Sequence, residues 1–435
     1  MTESRERLQH VQNWKNWPPH LWLPFTQVAT DQPPQRVLRG KGALLYRQDA
    51  PPLIDAISSW WVTLHGHAHP RITAAISAQA SELEQVIFAE FVHPQAELLS
   101  RRLSVLTGLD RLFFSDNGST AVEVALKMAC QWWHNRQEIR QQLIAFEGAY
   151  HGDTFGAMAV GSRSLFSAPF EDKLFPVARL PWPGTWWGDE TIEARETESL
   201  RQLEHALEIP TAAVILEPML QGAGGMSMVR PQFLQEVERR VRQSEALLIS
   251  DEVLTGFGRC GSLFASQVAG IHPDLIALSK GLTGGFLPMG VTMASEAVFE
   301  GFTGEDPSLT LWHGHSFTAN PLGCAAANAS LDLLEETPEH YRTFANRHRP
   351  LLQSLAKHPR VTHPRLIGTI AAFDLAVAKP GYLNPAGRRL KRLVADQGIL
   401  LRPLGSVVYL LPPLCLSDSQ LQQCYDGILF ALNDL

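Results

Sequence analysis

The sequence predicts an α/β fold, a mostly parallel sheet covered by helices on both faces. Short aliphatic runs bounded by polar residues recur along the chain, of a length that suits strands buried on both faces. Longer stretches with helical spacing separate them. A third observation says where such a sheet binds a ligand. The runs at residues 246–249 (ALLI) and 275–278 (LIAL) are each followed by one ionisable side chain, Asp251 and Lys280. In an open parallel sheet the carboxyl ends of the strands form the ligand crevice, so these two groups are expected to meet there.

At 435 residues the chain is long enough for a large core, expected as two domains in one unit. A hydrophobic share of 45% with 19% charged residues excludes extensive disorder. The net charge of -7 supplies no attraction for nucleic acid. No apolar run approaches the length of a membrane span, and the opening MTESRERLQHVQNWKNW lacks the apolar centre of a signal peptide. Cys130, Cys260, Cys324, Cys415 and Cys424 are scattered without paired spacing, which fits reduced thiols and a cytoplasmic location.

Taken in order, residues 1–42 are rich in Pro, Trp and Gln and read as an arm anchored by HLWLPFTQ. Its Trp22 and Phe25 either pack or reach a site. Residues 43–62 alternate apolar and polar around turn signals, predicting a small sheet that ends at Ile57, Ser58, Ser59, Trp60 and Trp61. Adjacent tryptophans in an extended chain point to opposite sides, so one packs and the other is free to face a ligand. His65, His67 and His69 invite a metal reading, but no nearby Asp, Glu or Cys completes a ligand set and Gly66 and Pro70 mark a turn. No metal is expected.

Residues 71–106 read as two helices with Leu98, Leu99, Leu103 and Leu106 as a core stripe. A strand at 111–115 runs into Asp116, Asn117, Gly118, Ser119 and Thr120 before a helix at 121–135. Free backbone N–H groups and hydroxyls at a helix N-terminus suit a phosphate, although a plain Ser/Thr cap looks the same in sequence. After a strand at 143–146, Tyr150 stands among glycines, where an aromatic can stack on a flat ring. Residues 176–198 read as a surface excursion. A strand at 212–217 ends in Glu217, a helix follows at 231–243, and a small-residue helix spans 321–334. From about residue 339 the text changes to helices and short strands at 369–375 and 407–411, a second and smaller α+β domain. The expected division is 1–65 for the arm and a small-domain segment, 66–324 for the large domain and 325–435 for the rest of the small domain. Arg402, just before the last strand, either clamps a carboxylate or is an ordinary surface arginine.

The pair Asp251 and Lys280 has a chemical meaning. A lysine amine can form a Schiff base with a carbonyl cofactor, and pyridoxal phosphate needs a carboxylate to keep its pyridine nitrogen protonated. Alone, Asp251 reads as a helix cap and Lys280 as a solvated lysine. Together with the phosphate-like segment at 116–120 they supply every part such a cofactor requires.

DEVLTGFGR with SKGLTGG resembles the signature of the class III, fold type I, pyridoxal-phosphate-dependent aminotransferases. HLWLPFTQ, SSWW, YHGDTFGAM, EPMLQGAGGM and HGHSFTANPLGCAAANASL resemble the branch of that family that converts 8-amino-7-oxononanoate to 7,8-diaminononanoate in biotin biosynthesis, over residues 20–414. The resemblance implies a large domain with a mostly parallel, seven-stranded sheet, a smaller α+β domain, and a homodimer with its active site at the subunit interface. It implies that Lys280 carries the cofactor, Asp251 pairs with the pyridine nitrogen and Tyr150 stacks on the ring. Gly118 and Ser119 would bind the phosphate, Ser316 would reach the phosphate in the partner subunit, and Glu217 matches a further position on the cofactor side. On the substrate side Trp60, Trp61 and Tyr409 match pocket aromatics, Arg402 matches the residue that holds the keto acid's carboxylate, and Arg259 and Gly314 match family positions.

Phe25 stands where family members carry a tyrosine, and HGHS replaces HGPT. These features, with TGGFLP after the lysine, resemble enzymes that take the amino group from lysine. Trp60, Trp61 and Tyr409 resemble those that take it from S-adenosylmethionine, which is the expected donor with lysine as the alternative. Three other readings are weighed: an aminotransferase of the same class acting on ornithine, 4-aminobutyrate or a diamine; an aminomutase; and a non-catalytic module that keeps the cofactor. Trp60, Trp61 and YHGDTFG speak against the first, and retention of Asp251 with Lys280 against the last.

Overall fold

The computed structural model describes residues 17–18, 20–29 and 31–435; the opening of the arm, residues 1–16, lies outside them. The chain begins with β1 (Val37–Lys41), β2 (Leu44–Arg47) and β3 (Ala50–Asp55). The next strands are β4 (Arg111–Ser115), β5 (Gln142–Phe146), β6 (Ala178–Leu180) and β7 (Thr211–Leu216), then a two-stranded ribbon of β8 (Leu220–Gln221) and β9 (Ser227–Met228). They are followed by β10 (Leu247–Asp251), β11 (Leu275–Leu278) and β12 (Gly290–Ala294). The last are β13 (Val361–Ile367), β14 (Ile370–Leu375), β15 (Ile399–Leu400) and β16 (Val407–Leu410). The principal helices are α1 (Pro70–Ala80), α2 (Pro94–Thr107), α3 (Gly118–Asn135), α4 (Ile192–Ala206), α5 (Pro231–Gln243), α6 (Pro321–Glu336), α7 (Phe344–Leu355), α8 (Pro385–Asp396) and α9 (Asp418–Asn433).

A seven-stranded sheet in the order β4-β12-β11-β10-β7-β5-β6 forms the centre. The run from β11 to β6 is parallel, and β12 alone lies antiparallel to its neighbours β4 and β11. Alternating side chains of the central strands go to opposite faces, as a pleat requires. Ile215 and Ile249 join one core with Val122, Ala125 and Ala129 of α3, whereas Val214, Leu216 and Leu248 join another with Phe233, Leu234, Val237 and Val241 of α5. Each such aliphatic side chain gains about 1.5–3 kcal/mol on burial, and truncating one to alanine costs about 2–5 kcal/mol. Helix α5 follows from its text: Pro231 opens it, the four apolar residues fall on one stripe, and its arginines face outward. Gly108, at φ 74°, ends α2 in the left-handed conformation that a glycine adopts without penalty.

The smaller sheets join remote parts of the chain. β1, β2, β3 and β15 form one sheet, with Asp55 of β3 opposite Leu400 of β15, so the segment after Asp55 and the segment carrying Arg402 leave the same edge. β13, β14 and β16 form an antiparallel sheet that carries Tyr409.

Several expectations change. The strand expected through Trp61 stops at Asp55; Ser58, Ser59 and Trp61 have φ of 52°, 60° and 67°, a kinked strap instead of a pleated edge. The expected surface excursion at 176–198 contains the edge strand β6 and the start of α4, because Leu180 supplies an apolar anchor that the tryptophan-rich context hid. In α2, Leu99 and Leu103 are buried, Leu106 is half-buried and Leu98 is exposed, so the stripe runs through Ala96, Leu99 and Leu103. β12, with all its residues buried, is a further strand beyond those the sequence predicts. No helix of the described residues is long and apolar enough to cross a membrane.

Candidate active site

Asp251 is the last residue of β10, and Lys280 follows β11 by two positions. The two strands are parallel neighbours with Asp251 opposite Ala277, so both side chains emerge at the carboxyl end of the sheet, as the spacing predicts. They line one cavity of about 800 Å³ together with Gly118, Ser119, Tyr150, Glu217, Phe25, Trp60, Trp61, Arg402 and Tyr409. Lys280 has φ 45°, an unusual value for a residue with a side chain, and such strain concentrates at functional sites. Its Nζ stands 4.7 Å from the centroid of the Trp61 ring.

The floor of the cavity is a buried polar network that the sequence did not disclose. His151 Nδ1 lies 2.7 Å from Asp251 Oδ2, and the backbone N–H of Val253 donates to Asp251 Oδ1 at 3.0 Å. Glu217 accepts from the backbone N–H groups of Tyr150 (3.0 Å) and Gly222 (2.9 Å). Burial pulls the His151 pKa down, but the hydrogen bond and charge of Asp251 outweigh it and leave the pKa above its ordinary value. Burial, joined by the charge of Asp251, raises the Glu217 pKa against the opposing charge of His151. Burial pushes the Tyr150 hydroxyl up, with the charge of Asp153 next, so it stays neutral.

At one side of this floor lies the N-terminus of α3, with Asn117 as its cap: the Asn117 side chain accepts from Thr120 N, and the Thr120 hydroxyl accepts from Asn117 N. The phosphate and capping readings therefore coexist, because Asn117 caps while Gly118 and Ser119 remain on the cavity wall. Ser119 Oγ is 2.8 Å from Thr154 Oγ1 and accepts from Thr154 N at 3.1 Å. Gly152, at φ 133°, makes that approach possible, since a Cβ there would stand 2.2 Å from Ser119 Oγ.

Trp60 and Trp61 also line the cavity. Asp55, fully buried, holds their strap: its carboxylate accepts from Ile57 N, Ser59 N and Ser59 Oγ and lies 2.9 Å from His67 Nε2. These contacts offset a backbone cost of about 1–3 kcal/mol for each left-handed residue. Trp61 is buried, and its Nε1 donates to the Tyr409 hydroxyl at 2.9 Å. Trp60 is 42% exposed, with the Arg402 guanidinium 4.8 Å from its ring centroid. His65 Nε2 lies 2.9 Å from Ser330 Oγ, and no cluster of metal-ligating side chains occurs among the described residues.

Three residues matched to the site lie elsewhere. Arg259 is 1% exposed and donates to the carbonyls of Pro412 (2.9 Å) and Trp61 (3.5 Å), so it ties the tryptophan strap to the segment after β16 from outside the cavity. Gly314 and Ser316 are exposed and do not line the cavity of this chain. Conversely, His151, Asp55, Phe166 and Tyr382 were not anticipated. The histidine beside Tyr150 and the aspartate closing β3 were visible signals; Phe166 and Tyr382 sit in loops with no pattern.

The residues present fit pyridoxal phosphate. Lys280 offers an amine, Asp251 a carboxylate fixed by His151 and the Val253 N–H, Tyr150 a ring, and the start of α3 its N–H groups. Buried His151 Nε2 has no hydrogen-bond partner among the described residues, and Lys280 Nζ faces an indole, so polar atoms await a ligand. Burial lowers the Lys280 pKa from 10.5 to about 8, against the charges of Asp251 and Glu217, which raise it. Below that pH the amine is protonated and not nucleophilic, and above it the amine is free. Uptake of pyridoxal phosphate by cofactor-free protein, followed by visible absorbance, should therefore accelerate as pH rises through about 8. An uptake rate that falls over that range would contradict the assignment.

The family model described as "Aminotransferase class-III" matches residues 25–432. The chain is 57% identical over 420 residues to adenosylmethionine-8-amino-7-oxononanoate aminotransferase of Synechococcus elongatus, covering 96% of this chain and 99% of that one. It is 37% identical over 432 residues to the protein of the same name from Geobacter sulfurreducens, covering 94% of each. Among solved structures, adenosylmethionine-8-amino-7-oxononanoate aminotransferase from Methanocaldococcus jannaschii superposes with a TM-score of 0.89 at 30% identity, over 98% of this chain and 99% of that one. An amine transaminase from an uncultivated Pseudomonas species, in a PLP-bound form, also gives 0.89 at 29% identity, covering 95% of this chain and 98% of that one. Motifs, sheet and cavity converge with these likenesses: the chain belongs to the class III aminotransferases.

Proposed function

We propose that this protein aminates the ketone of 8-amino-7-oxononanoate to 7,8-diaminononanoate for biotin synthesis, with S-adenosylmethionine as amino donor. The observation that carries this reading is the placement of two cations on two adjacent indoles, Lys280 on the inner Trp61 and Arg402 on the outer Trp60. That layout suits an acceptor with a ketone, a flexible aliphatic chain and a distant carboxylate. The names of the relatives described above agree with it.

Pyridoxal phosphate, when bound, supplies a carbonyl that takes up an amine and a cationic ring that stabilises negative charge on the neighbouring carbon. Lys280 would hold it, Asp251 would face its ring nitrogen, Tyr150 its ring face, and Gly118 and Ser119 its phosphate. Asp251, fixed by His151 at 2.7 Å, would hold the proton of the ring nitrogen. Lys280 would take the proton that leaves the substrate carbon; its pKa, lowered by burial, lets the amine act as a base near neutrality. Trp61, fixed by Tyr409, shields that transfer from water. Arg402 receives the acceptor's carboxylate as a charge-assisted pair.

The reading includes a homodimer. Gly314 and Ser316 lie in an exposed loop with Trp312 (73% exposed) and Phe317 (64%), a face whose apolar content suits burial against a second copy, where Ser316 would meet the partner's phosphate. It also places the enzyme in the cytosol, in keeping with five free cysteines. The donor is tested by adding S-adenosylmethionine or lysine separately to the cofactor-loaded protein and following its visible absorbance. Loss with S-adenosylmethionine supports the reading; loss with lysine alone would replace the donor; loss with neither, but with ornithine or a diamine, would overturn it. Arg402→Ala should raise KM for the keto acid about 10- to 100-fold, matching the loss of about 1.5–3 kcal/mol for a hydrogen bond to a charged group, with a smaller effect on the donor. Equal effects on both substrates would remove that role.

A further inference from the structure

We propose that Phe166 and Tyr382 complete, with Phe25 and Trp60, an aromatic collar at the cavity mouth that binds the adenosyl and sulfonium part of the donor. This rests on the donor assigned above. The four rings come from segments remote in sequence: the N-terminal arm, the strap after β3, the loop before β6 and the loop between β14 and α8. They meet in edge contacts, Phe25 with Trp60 at 5.6 Å, Phe25 with Phe166 at 5.5 Å, and Phe166 with Tyr382 at 4.9 Å between centroids. All four line the cavity.

Their exposure distinguishes them from core packing. Phe25, Trp60 and Tyr382 are 45%, 42% and 42% exposed, an apolar rim left open to solvent at the entrance of a binding site. Phe166 is held in place by its own loop, where Ser164 N donates to Ser167 Oγ at 2.9 Å and Phe166 N to Ser164 Oγ at 3.2 Å. Such a rim discriminates between donors by charge type. A sulfonium is a cation without N–H groups to satisfy and sits favourably against ring faces, and the attached purine is flat enough to stack on them. The ammonium of a lysine side chain is compact and strongly hydrated, and calls for a carboxylate. Of the carboxylates lining the cavity, Asp251 is engaged with His151 and Glu217 with two backbone N–H groups; Asp153 lies beside the Tyr150 hydroxyl. The mouth itself offers rings and Arg402.

The test separates the two halves of the reaction in Phe166→Leu and Tyr382→Leu, which keep apolar bulk and remove the ring. Retained visible absorbance of the bound cofactor reports that each variant is folded. The half-saturating concentration of S-adenosylmethionine in the donor half-reaction should rise about tenfold, as loss of one stacking partner implies, while that of 8-amino-7-oxononanoate in the acceptor half-reaction shifts far less. Equal shifts for both substrates, or none for the donor, would overturn the proposal. If the unaltered enzyme reacts with lysine and not with S-adenosylmethionine, the collar's assignment falls while the aminotransferase stands. If the unaltered enzyme accepts amino groups from neither, the functional reading itself fails.

Discussion

Lys280→Ala should give a protein that lacks the visible absorbance of lysine-linked cofactor and whose kcat/KM is lower by about 10⁴-fold or more. The size follows from losing two functions at once. A positioned general acid–base group alone contributes about 10²- to 10⁴-fold, and in the proposed mechanism the same amine would be the covalent anchor. The fold should survive. The side chain is half-buried on the cavity wall, and its removal from water disfavours the charged form, so no ion pair that ties elements together is lost. The absorbance spectrum and single-turnover rates with each substrate check the result. A variant that keeps turnover within about tenfold of the parent would sink the mechanism, and would revive a reading in which the cofactor serves structure alone.

Asp251→Asn should behave differently, and the contrast is the stronger test. The amide is isosteric, so the hydrogen bonds to Val253 N and His151 can largely persist, and Lys280 is untouched. Cofactor absorbance should remain. Proton removal from the substrate carbon should nonetheless slow by about 10²- to 10⁴-fold, because a neutral amide no longer holds a positive ring nitrogen and the developing negative charge loses its electrostatic sink. His151 reports the same change independently. Its pKa is held up by the Asp251 charge against burial, so in Asp251→Asn burial should prevail and the imidazole should titrate below its ordinary value. A His151 resonance that titrates unchanged in the variant would show that the Asp251 charge does not set its protonation.

How much of this was legible in the text follows from the range over which each signal acts. The aliphatic runs before Asp251 and Lys280 are local, and a strand buried on both faces must be continuously apolar, so β7, β10 and β11 could be read one at a time. Because parallel strands share a carboxyl edge, the pattern alone places their terminal residues together. The polar start of α3 was equally local. The kinked strap was not. Pleated and left-handed conformations of Ser58, Ser59 and Trp61 differ by energies that Asp55, His67 and the Leu411 carbonyl decide, and the last of these is remote in sequence.

Arg259 shows the same limit from the other side. An arginine in a signature motif reads as a ligand-binding group, yet its distance from the cavity depends on where Pro412 and Trp61 are brought by the rest of the chain. The partner of His151, Asp251, is 100 residues away, and the rings meeting Phe166 come from the arm and from the loop after β14. The sequence by itself determined five of the seven central strands, the chemistry at their carboxyl edge and the family. Only the tertiary structure decided which side chains wall the cavity and which merely hold that wall, because those contacts join segments whose separation along the chain carries no periodic signal.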